Sequence, residues 1–472
     1  MNVQLLLLVA YSSVLVALGV FIGRRVGSAR KFFVAGRSLG PVLLGATLLA
    51  ANIGAGSTVG AASLGYQYGL SGWWWVGSAG IGTLLLAWWV GPRIWRLARS
   101  QDLLTVGDYL EWRYDSRVRV AATLMLWLGT PAVLAAQLVA VSFILNTVAG
   151  VPLVWGCLAA GVVMTLYFTA GGLLASAWVN MVQLVVLGAG LIGAVVVAGT
   201  RAGGLKGVLA TAPDAAGVTS VVSSGAPGWH YALFLVPAFM ISPGLLQKVY
   251  GARDVKAVRL GVSAAGLLLL AFAFVPVLLG MYARVWDPSL VGKAADYALP
   301  LVLTLGMPLA IGTVGLAAVF SAELSSADAA LFMLSTSLSE DLYLRFVNPG
   351  ASDGDVLRVA RLGAIAGGAL GTIMAIVFGS VITSLTIFYS LLTVSLFVPI
   401  MGGLFWRRPG SAAGLAGLLA GVAGYLVGHY GLGLAGRALW SPTTLGLAAS
   451  ATAYVAATVA APAQPHELRE PT

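Results

Sequence analysis

The chain has 472 residues, of which 59% are hydrophobic and only 9% are charged, with 26 Lys and Arg residues, 16 Asp and Glu residues and one cysteine. A soluble domain carries roughly a quarter charged residues, so this composition excludes a soluble globule, a disordered chain, a disulfide scaffold and, in practice, a nucleic-acid binder. It predicts a polytopic membrane protein.

Long apolar runs follow one another along most of the chain. About 20 mostly apolar residues cross a bilayer, and runs without period-2 alternation predict helices and not barrel strands. No basic residue precedes the first run, so we predict an uncleaved helix there and not a secretory signal. In chain order, the predicted spans are 3–23, 41–68, 72–95, 120–147, 151–170, 176–199, 230–249, 260–284, 300–338, 359–380, 382–405, 411–432 and 441–461, thirteen in all.

The basic residues separate the predicted loops into two sides. One side holds five of the 26 Lys and Arg residues, which are Arg201, Lys206, Arg284, Lys293 and Arg437. The other side holds the remaining 21, and the positive-inside rule makes that side cytoplasmic. We therefore predict a multi-pass protein of the cell membrane with its N-terminus outside and its C-terminus in the cytoplasm. The net charge of +10 then needs no acidic partner, and we expect neither a nucleic-acid partner nor an obligate protein partner.

Two predicted spans contain helix-breaking residues. Residues 50–58 of the second span read Ala-Ala-Asn-Ile-Gly-Ala-Gly-Ser-Thr, and residues 241–244 of the seventh read Ile-Ser-Pro-Gly. These spans are five apart, and an odd offset reverses their direction in the membrane. Broken helices at matching positions of two inverted repeats are typical of secondary transporters. We predict four regions: an N-terminal helix and basic loop over 1–40, repeats over 41–225 and 226–410, and two C-terminal helices with a short tail over 411–472.

Two of the sixteen acidic residues, Glu323 and Asp328, lie inside the ninth apolar run. A carboxylate at mid-bilayer costs roughly 2.5–3.5 kcal/mol even on an insertion scale. Lys248 falls at the end of the seventh span and is counted with the basic loop that follows it, so no lysine or arginine is assigned to the interior of a span as a partner. These residues therefore predict either buried protonated carboxyls or a cation or proton site.

Hydroxyl groups surround these carboxyls. Ala322, Ser325 and Ser326 share one helical face, and hydroxyl and carbonyl oxygens suit sodium better than zinc or copper. Serines in membrane helices also bond simply to their own helix, so packing is the alternative. No nucleophile–base pair or metal-ligand cluster is present in the spans, so we expect no catalytic residues, no enzyme activity and no organic cofactor. Three tryptophans, Trp73 to Trp75, are predicted to form an interfacial belt.

Several motifs together resemble the sodium:solute symporter family, over about residues 30 to 410. The strongest is Ser325-Ser-Ala-Asp328. The others are Arg37-Ser-Leu-Gly40, Ala50-Ala-Asn-Ile53, Thr169-Ala-Gly-Gly172, Trp178-Val-Asn-Met-Val-Gln183, Pro243-Gly-Leu-Leu-Gln-Lys248, Glu340-Asp-Leu-Tyr343, Pro399 and Gly403-Leu-Phe-Trp-Arg-Arg408. The resemblance implies an all-α membrane fold with a five-plus-five inverted-repeat core, one extra N-terminal helix and two extra C-terminal helices.

The resemblance also implies binding residues. Sodium ligands carried over are the carbonyls of Ala50, Ile53 and Ala322 and the hydroxyls of Ser325 and Ser326. Many members have an aspartate where this chain has Asn180, which weakens a second sodium site there; Asp328 and Glu323 are candidates for a second cation or proton site. The predicted solute contacts are Asn52, Gly54, Gly56, Ser57, Phe239 and Ser242.

The function implied is sodium-coupled import of a small solute by alternating access, with sodium and the bilayer as further partners. The stretch 56–58 is small and only mildly polar, so an organic acid, an amino acid or a related metabolite is favoured over a sugar. One alternative is a proton-coupled transporter on the same fold that uses Glu323 or Asp328. Another is a transporter-like nutrient sensor.

Overall fold

The computed structural model describes residues 4–7, 9–11, 13–14, 37–211, 215–222, 228–290, 292–434 and 439–460, without the side chains at 167, 170–182, 215–216 and 293. Within these residues the chain is helical, and an isolated parallel β-bridge pairs Leu39 with Ala252. Residues 4–7, 9–11 and 13–14 are also helical.

The helices from residue 41 onward are numbered in chain order. They are α1 (Pro41–Asn52), α2 (Val59–Tyr68), α3 (Trp73–Leu85), α4 (Gly91–Ser100), α5 (Val106–Arg113), α6 (Ser116–Ala149), α7 (Leu153–Arg201), α8 (Gly204–Thr211), α9 (Ala215–Thr219), α10 (Ala232–Ile241), α11 (Pro243–Tyr250), α12 (Val255–Phe272), α13 (Phe274–Trp286), α14 (Ala298–Thr304), α15 (Leu309–Thr336), α16 (Asp353–Phe378), α17 (Val381–Phe405), α18 (Ser411–Leu426) and α19 (Pro442–Ala460). Wider π-helical turns extend α15 to Val347 and join α3 to α4.

The described helices are long and apolar enough for a membrane. Nine of their segments could cross a bilayer by length and composition, and the bent pair of Pro41–Asn52 with Ala55–Ser100 makes a tenth. The prediction of an all-helical multi-pass membrane protein is thereby confirmed. The thirteen predicted spans are not all found in the described residues, and most of the first, 3–23, lies outside them.

The fifth and sixth predicted spans, 151–170 and 176–199, lie in one helix. Helix α7 runs for 49 residues from Leu153 to Arg201, so the predicted loop at 171–175 is wrong for this structure. The segment contains no proline and no charge before Arg201. Its paired glycines weaken a helix by only about 1 kcal/mol each and leave its hydrogen bonds intact.

The ninth predicted span, 300–338, is in contrast divided. Helix α14 ends at Thr304 and α15 begins at Leu309. Pro308 stands immediately before α15 with extended backbone. Proline inside a helix removes a backbone hydrogen bond, so a new helix begins after it. Glu323 and Asp328 therefore belong to α15 alone, near the middle of that helix.

The helices pack in two groups. In the first group, α12 lies against α1 and α3, α13 lies against α2, and α10 lies against α3. In the second, α15 lies against α6 and α7, and α16 lies against α6. Helix α1 also contacts α7 and α15. The break between α1 and α2 is thus placed where the two groups meet.

An ion-pair network closes one end of the second group. The guanidinium of Arg119 on α6 lies 2.8 Å from Asp108, 2.7 Å from Glu111 and 2.8 Å from Asp341. Arg345 pairs with the other carboxylate oxygen of Glu111, at 2.6 Å. Partial burial would raise the pKa of Glu111, but the hydrogen bonds from Arg345 and Arg119 hold it below its usual value. The network fastens α5 to both α6 and the extension of α15.

Arg113 fastens α5 to the end of α17. Its side chain is 1% exposed, and its Nε donates to the carbonyl of Gly403 at 2.8 Å. Its two terminal nitrogens donate to the carbonyls of Trp406, Arg407 and Pro409 at 2.8–3.2 Å. These carbonyls lie in the last turn of α17 and the loop after it, where a helix leaves acceptors without helical donors.

We expect Arg113→Ala to lower the apparent Tm of the purified protein by about 5 °C, because it leaves the two buried carbonyls of Gly403 and Pro409 without this donor, at about 1–3 kcal/mol each. Arg113→Lys is expected to recover less than half of that loss, since an ammonium cannot reproduce the planar guanidinium fork. Thermal unfolding measures both variants. Arg117→Ala, a change of an exposed arginine on α6, is the control; equal Tm values for the two alanine variants would contradict the assignment.

Candidate cation and solute site

The first broken helix bends sharply at Ile53 and Gly54. The run Ala55–Ser100 is inclined by 78° to α1, and both residues at the break have extended backbone. A short 3₁₀ turn, Ala55–Ser57, precedes α2. Glycine and β-branched residues are poor helix formers, which explains the break. The last carbonyls of α1 consequently have no helical N–H partner and remain available as ligands.

Helix α15 presents two serine hydroxyls to these carbonyls. Ser325 Oγ lies 3.1 Å from the carbonyl oxygen of Ala50 and 3.0 Å from that of Ala322. Ser326 Oγ lies 3.2 Å from the carbonyl oxygen of Ile53. The five residues expected to hold sodium are therefore brought together. A further carbonyl, that of Ala51, lies 3.5 Å from Ser326 Oγ.

Hydrogen bonding does not satisfy this cluster by itself. A serine hydroxyl has one hydrogen, yet Ser325 and Ser326 each face two carbonyl oxygens. At any instant one of the two carbonyls beside each hydroxyl lacks that hydrogen. The carbonyl of Ala322 lies inside α15 and keeps a helical N–H donor, whereas those of Ala51 and Ile53 share the hydrogen of Ser326 alone. A cation enclosed by these oxygens would interact with all of them together, and an all-oxygen set suits a hard ion. Both serines are nearly buried, at 3% and 5% exposure.

A cavity of about 40 Å³ adjoins the serine cluster. Ser326 belongs to both, so an ion and a solute bound there would be neighbours. Four predicted solute contacts at the first break and Phe239 of α10 line the cavity, whereas Ser242 is not among its lining residues. Its walls are Ala51, Asn52, Gly54, Gly56, Ser57, Trp75, Val76, Ala79, Val133, Gln137, Leu235, Phe239, Ser326, Leu385 and Tyr389.

The second broken helix has the form that its sequence predicts. Helix α10 ends at Ile241, Ser242 has extended backbone, and α11 begins at Pro243. Proline suits the first helical position because it needs no hydrogen-bond acceptor there. The break directs Phe239 and the end of α10 to the cavity, and it leaves α11 against α15.

Glu323 contacts the first break and does not line the cavity. Its side chain is fully buried, and Thr58 Oγ1 lies 2.8 Å from Glu323 Oε1 and 3.0 Å from the carbonyl oxygen of Gly54. The other carboxyl oxygen, Oε2, has no hydrogen-bond partner among the described residues. Glu323 is therefore joined to the same break as the serine cluster, but through Thr58.

Asp328 has a cationic neighbour that we did not predict. Lys248 lies in α11, not in a loop, and both side chains are 3% exposed. The two charges are near enough to attract each other. Gln247 Nε2 also donates to Thr336 Oγ1 of α15 at 3.3 Å. The interpretation that no basic residue stands near Asp328 is therefore wrong. The side chain of Asn180, the other predicted member of a second site, lies outside the described residues.

Three residues of the site were missed in the sequence. Gln137 of α6 accepts a hydrogen bond from the backbone N–H of Ala55 at 2.8 Å, and its signal was an uncharged amide in an apolar run. Trp75 lines the cavity and is 4% exposed, so its assignment to an interfacial belt is wrong. Tyr389 lines the cavity beside Phe239, with ring centroids 5.1 Å apart; no local signal distinguishes it from other apolar-run aromatics.

Several known proteins resemble this chain in sequence or in fold. The chain is 24% identical to the sodium/glucose cotransporter of Vibrio parahaemolyticus, across 89% of this chain and 84% of that protein. It is 28% identical to the sodium/pantothenate symporter of Escherichia coli K12, across 89% of each. The solved structure of a Na⁺-coupled sialic acid symporter, in a substrate-bound outward-open state, superposes with a TM-score of 0.82 at 20% identity, covering 98% of this chain and 99% of that one.

These likenesses agree with the match to a family model. The solved structure shares the fold over nearly the whole chain. A model of the sodium:solute symporter family matches residues 32–421, which include both broken helices and the serine cluster. The chain belongs to the sodium:solute symporter family.

Proposed function

We propose that the protein is a sodium-coupled symporter that imports a small organic solute across the cell membrane. The observation that carries this proposal is the oxygen cluster between the break of α1 and the two serines of α15. Sodium is the ion whose binding best matches a neutral, all-oxygen set in a buried place. The relatives named above, each sodium-coupled by name, support the same ion.

Coupling in this proposal follows from shared residues. Sodium would draw the carbonyls of α1 and the hydroxyls of α15 together, and this fixes the break against the second group of helices. Ser326 and the break also form the cavity wall, so sodium binding orders the solute site. By linkage, the solute then raises sodium affinity by the same factor.

Alternating access would proceed on two inverted repeats, 41–225 and 226–410, with the broken helices α1–α2 and α10–α11 at corresponding positions. The two packing groups of helices support this arrangement. We further propose that the N-terminus is outside and the C-terminus cytoplasmic, because 21 of the 26 basic residues fall on one side in the predicted topology. The stretch Gly56-Ser57-Thr58 is small and only mildly polar, which supports an organic acid, an amino acid or a related metabolite over a polyhydroxylated solute.

Thermal stabilisation of the purified protein tests this proposal and searches for the solute. Unfolding is followed in sodium chloride and in potassium chloride against a panel of small metabolites. We expect sodium to raise the apparent Tm, and one class of solute to raise it further only in sodium. No response to sodium would contradict sodium coupling, and a solute that binds without being transported into proteoliposomes would support a sensor.

A proton-coupled transporter is the second candidate, and the burial of Glu323 favours it, because an ionised carboxyl without a cation is costly in a bilayer. A second cation bound at Glu323 or Asp328 would also offset the cost of an ionised carboxyl in the bilayer. The hydrogen bond between Thr58 and Glu323 would couple either event to the first break.

Glu323→Gln separates these candidates. If sodium alone drives transport, we expect this variant to keep sodium-driven uptake within about 3-fold, because an amide oxygen still accepts from Thr58 and a hydrogen bond is worth only about 1 kcal/mol. Uptake into proteoliposomes under a sodium gradient or a proton gradient measures the effect. Loss of proton-driven uptake in the variant, with wild-type uptake that needs no sodium, would instead establish the proton-coupled candidate.

A further inference from the structure

The cavity contains hydrogen-bond donors that have no acceptor. Trp75 is 4% exposed and lines the cavity, and its indole N–H has no acceptor among the described residues, whereas the indoles of its neighbours do. Trp73 Nε1 donates to the carbonyl of Leu270 at 3.2 Å, and Trp74 Nε1 donates to the carbonyl of Val221 at 2.9 Å. An indole N–H can only donate, so a ligand atom that satisfies Trp75 must be an acceptor.

The position of Trp75 turns this donor toward the first break. A Cβ placed on Gly56 would lie 3.1 Å from Trp75 Nε1 and 2.5 Å from Leu385 Cδ1, so the indole nitrogen lies beside the backbone of the first break and Leu385 packs next to it. The rings of Tyr231, Phe234 and Tyr389 surround Trp75 at centroid distances of 4.9–6.4 Å. These rings hold the indole in place without supplying an acceptor.

Other polar groups of the cavity also offer donors. The hydroxyl of Tyr389, which lines the same cavity, makes no hydrogen bond within the described residues. Gln137 uses its oxygen on Ala55 N–H and one amide hydrogen on its own helix, at Val133, which leaves its second amide hydrogen. None of the lining residues is acidic or basic. The walls therefore favour a ligand with acceptors and supply no carboxylate for an ammonium group.

Sodium at the adjoining oxygen cluster would place a positive charge beside the cavity. With sodium bound beside Ser326, the otherwise neutral cavity has a cation at one edge, and in a buried, low-dielectric place an anion is the favoured neighbour. The volume of about 40 Å³ holds about three water molecules on the usual measure. A cavity of this size suits a ligand of few heavy atoms, which would lie against Phe239 and Tyr389, two of the lining residues.

We infer that the cavity binds a small monocarboxylate, whose carboxylate accepts hydrogen bonds from Trp75 Nε1 and the Tyr389 hydroxyl beside the sodium cluster. This inference rests on the proposed function and specifies the solute class within it. A carboxylate presents acceptors only, whereas an amide of the same shape turns donor hydrogens toward the same donors. An amino acid adds an ammonium group, and an inorganic anion has no apolar body for the rings.

Propionate and propionamide test the inference as a matched pair on the full-length protein in lipid nanodiscs. We expect propionate, in sodium chloride, to bind about 10-fold more tightly than propionamide, as one charge-assisted hydrogen bond implies. In potassium chloride the preference is expected to disappear. Binding is followed through thermal stabilisation and tryptophan fluorescence, with alanine and nitrate as the zwitterionic and inorganic arms.

Two variants locate the carboxylate. Trp75→Phe and Tyr389→Phe keep the rings but remove one donor each, and each is expected to weaken propionate binding about 10-fold while changing propionamide binding less than about 3-fold. Sodium binding alone is expected to change less than about 2-fold. Trp74→Phe is the control, because its indole donates to a carbonyl away from the cavity. If Trp75→Phe does not fold, Tyr389→Phe and the wild-type pair still decide the question.

The contrary results distinguish a failure of this inference from a failure of the proposed function. Equal binding of the acid and the amide, tighter binding of alanine or nitrate, or no binding of propionate with an intact sodium response would overturn the inference and leave the proposed function standing. Loss of every sodium response in the wild type would instead contradict the proposed function.

Discussion

Gly54→Ala is expected to reduce sodium-driven uptake to below about a tenth of the wild-type rate. A Cβ on Gly54 would lie 2.7 Å from Gln137 Oε1 and closer still to Oγ and Cβ of Ser326. Gln137 cannot retreat without losing its bond to Ala55, and Ser326 cannot retreat without leaving Ile53. Overpacking of this kind costs about 1–3 kcal/mol, and here the displaced atoms belong to the site itself.

The effect of Gly54→Ala should appear in sodium binding as well as in uptake. We expect the apparent sodium affinity to fall by about 10- to 100-fold, measured by sodium-dependent thermal stabilisation. Gly188→Ala on α7 is the matched control, because a Cβ there meets nothing within 4 Å. Wild-type sodium affinity in the Gly54 variant would show that the break does not form the ion site.

Removing both serine hydroxyls of α15 is expected to abolish sodium dependence. Ser325→Ala with Ser326→Ala deletes two of the five proposed ligands and leaves the carbonyls of Ala50 and Ile53 without a partner. Hydrogen-bond or ion contacts to a charged group are worth about 1.5–3 kcal/mol each, so apparent sodium affinity should fall by at least about 100-fold. Sodium-dependent stabilisation and uptake into proteoliposomes both measure this loss.

The helix itself supplies the control for the serine variant. Ser335 of α15 is fully buried, and its hydroxyl has no hydrogen-bond partner among the described residues, so Ser335→Ala removes the same atoms without removing a contact. We expect wild-type sodium dependence from that control. In potassium chloride the double variant should unfold within a few degrees of the wild type, because two ordinary hydrogen bonds contribute about 1 kcal/mol each. A sodium response equal to that of the control would refute the proposed ligands.

The sequence was informative where local chemistry determines the backbone. Gly54 and Pro243 predict the two breaks because these residues oppose helix formation locally. The helical spacing of Ser325 and Ser326 predicts a shared face, and the family resemblance names the carbonyls that this face meets. The structure brings these atoms within 3.0–3.5 Å of one another.

Other features depend on tertiary packing and left weaker signals. Trp75 stands in a run of three tryptophans, and only the arrangement of neighbouring helices separates the one that lines the cavity from those that bond to carbonyls outside it. Lys248 stands at the end of an apolar run, where sequence alone does not distinguish a loop residue from the last turn of a buried helix. The continuity of α7 across 171–175 likewise depends on neighbours, because glycine permits a helix as well as a turn.

Sodium-gradient-driven uptake by the purified protein in proteoliposomes is the most direct test of the central claim. An inward sodium gradient at constant pH and zero membrane potential should drive concentrative uptake of the solute found by thermal stabilisation, and the double serine variant should show none. Uptake that proceeds equally in potassium chloride, or that the double serine variant retains in full, would contradict the claim that sodium bound between α1 and α15 drives transport.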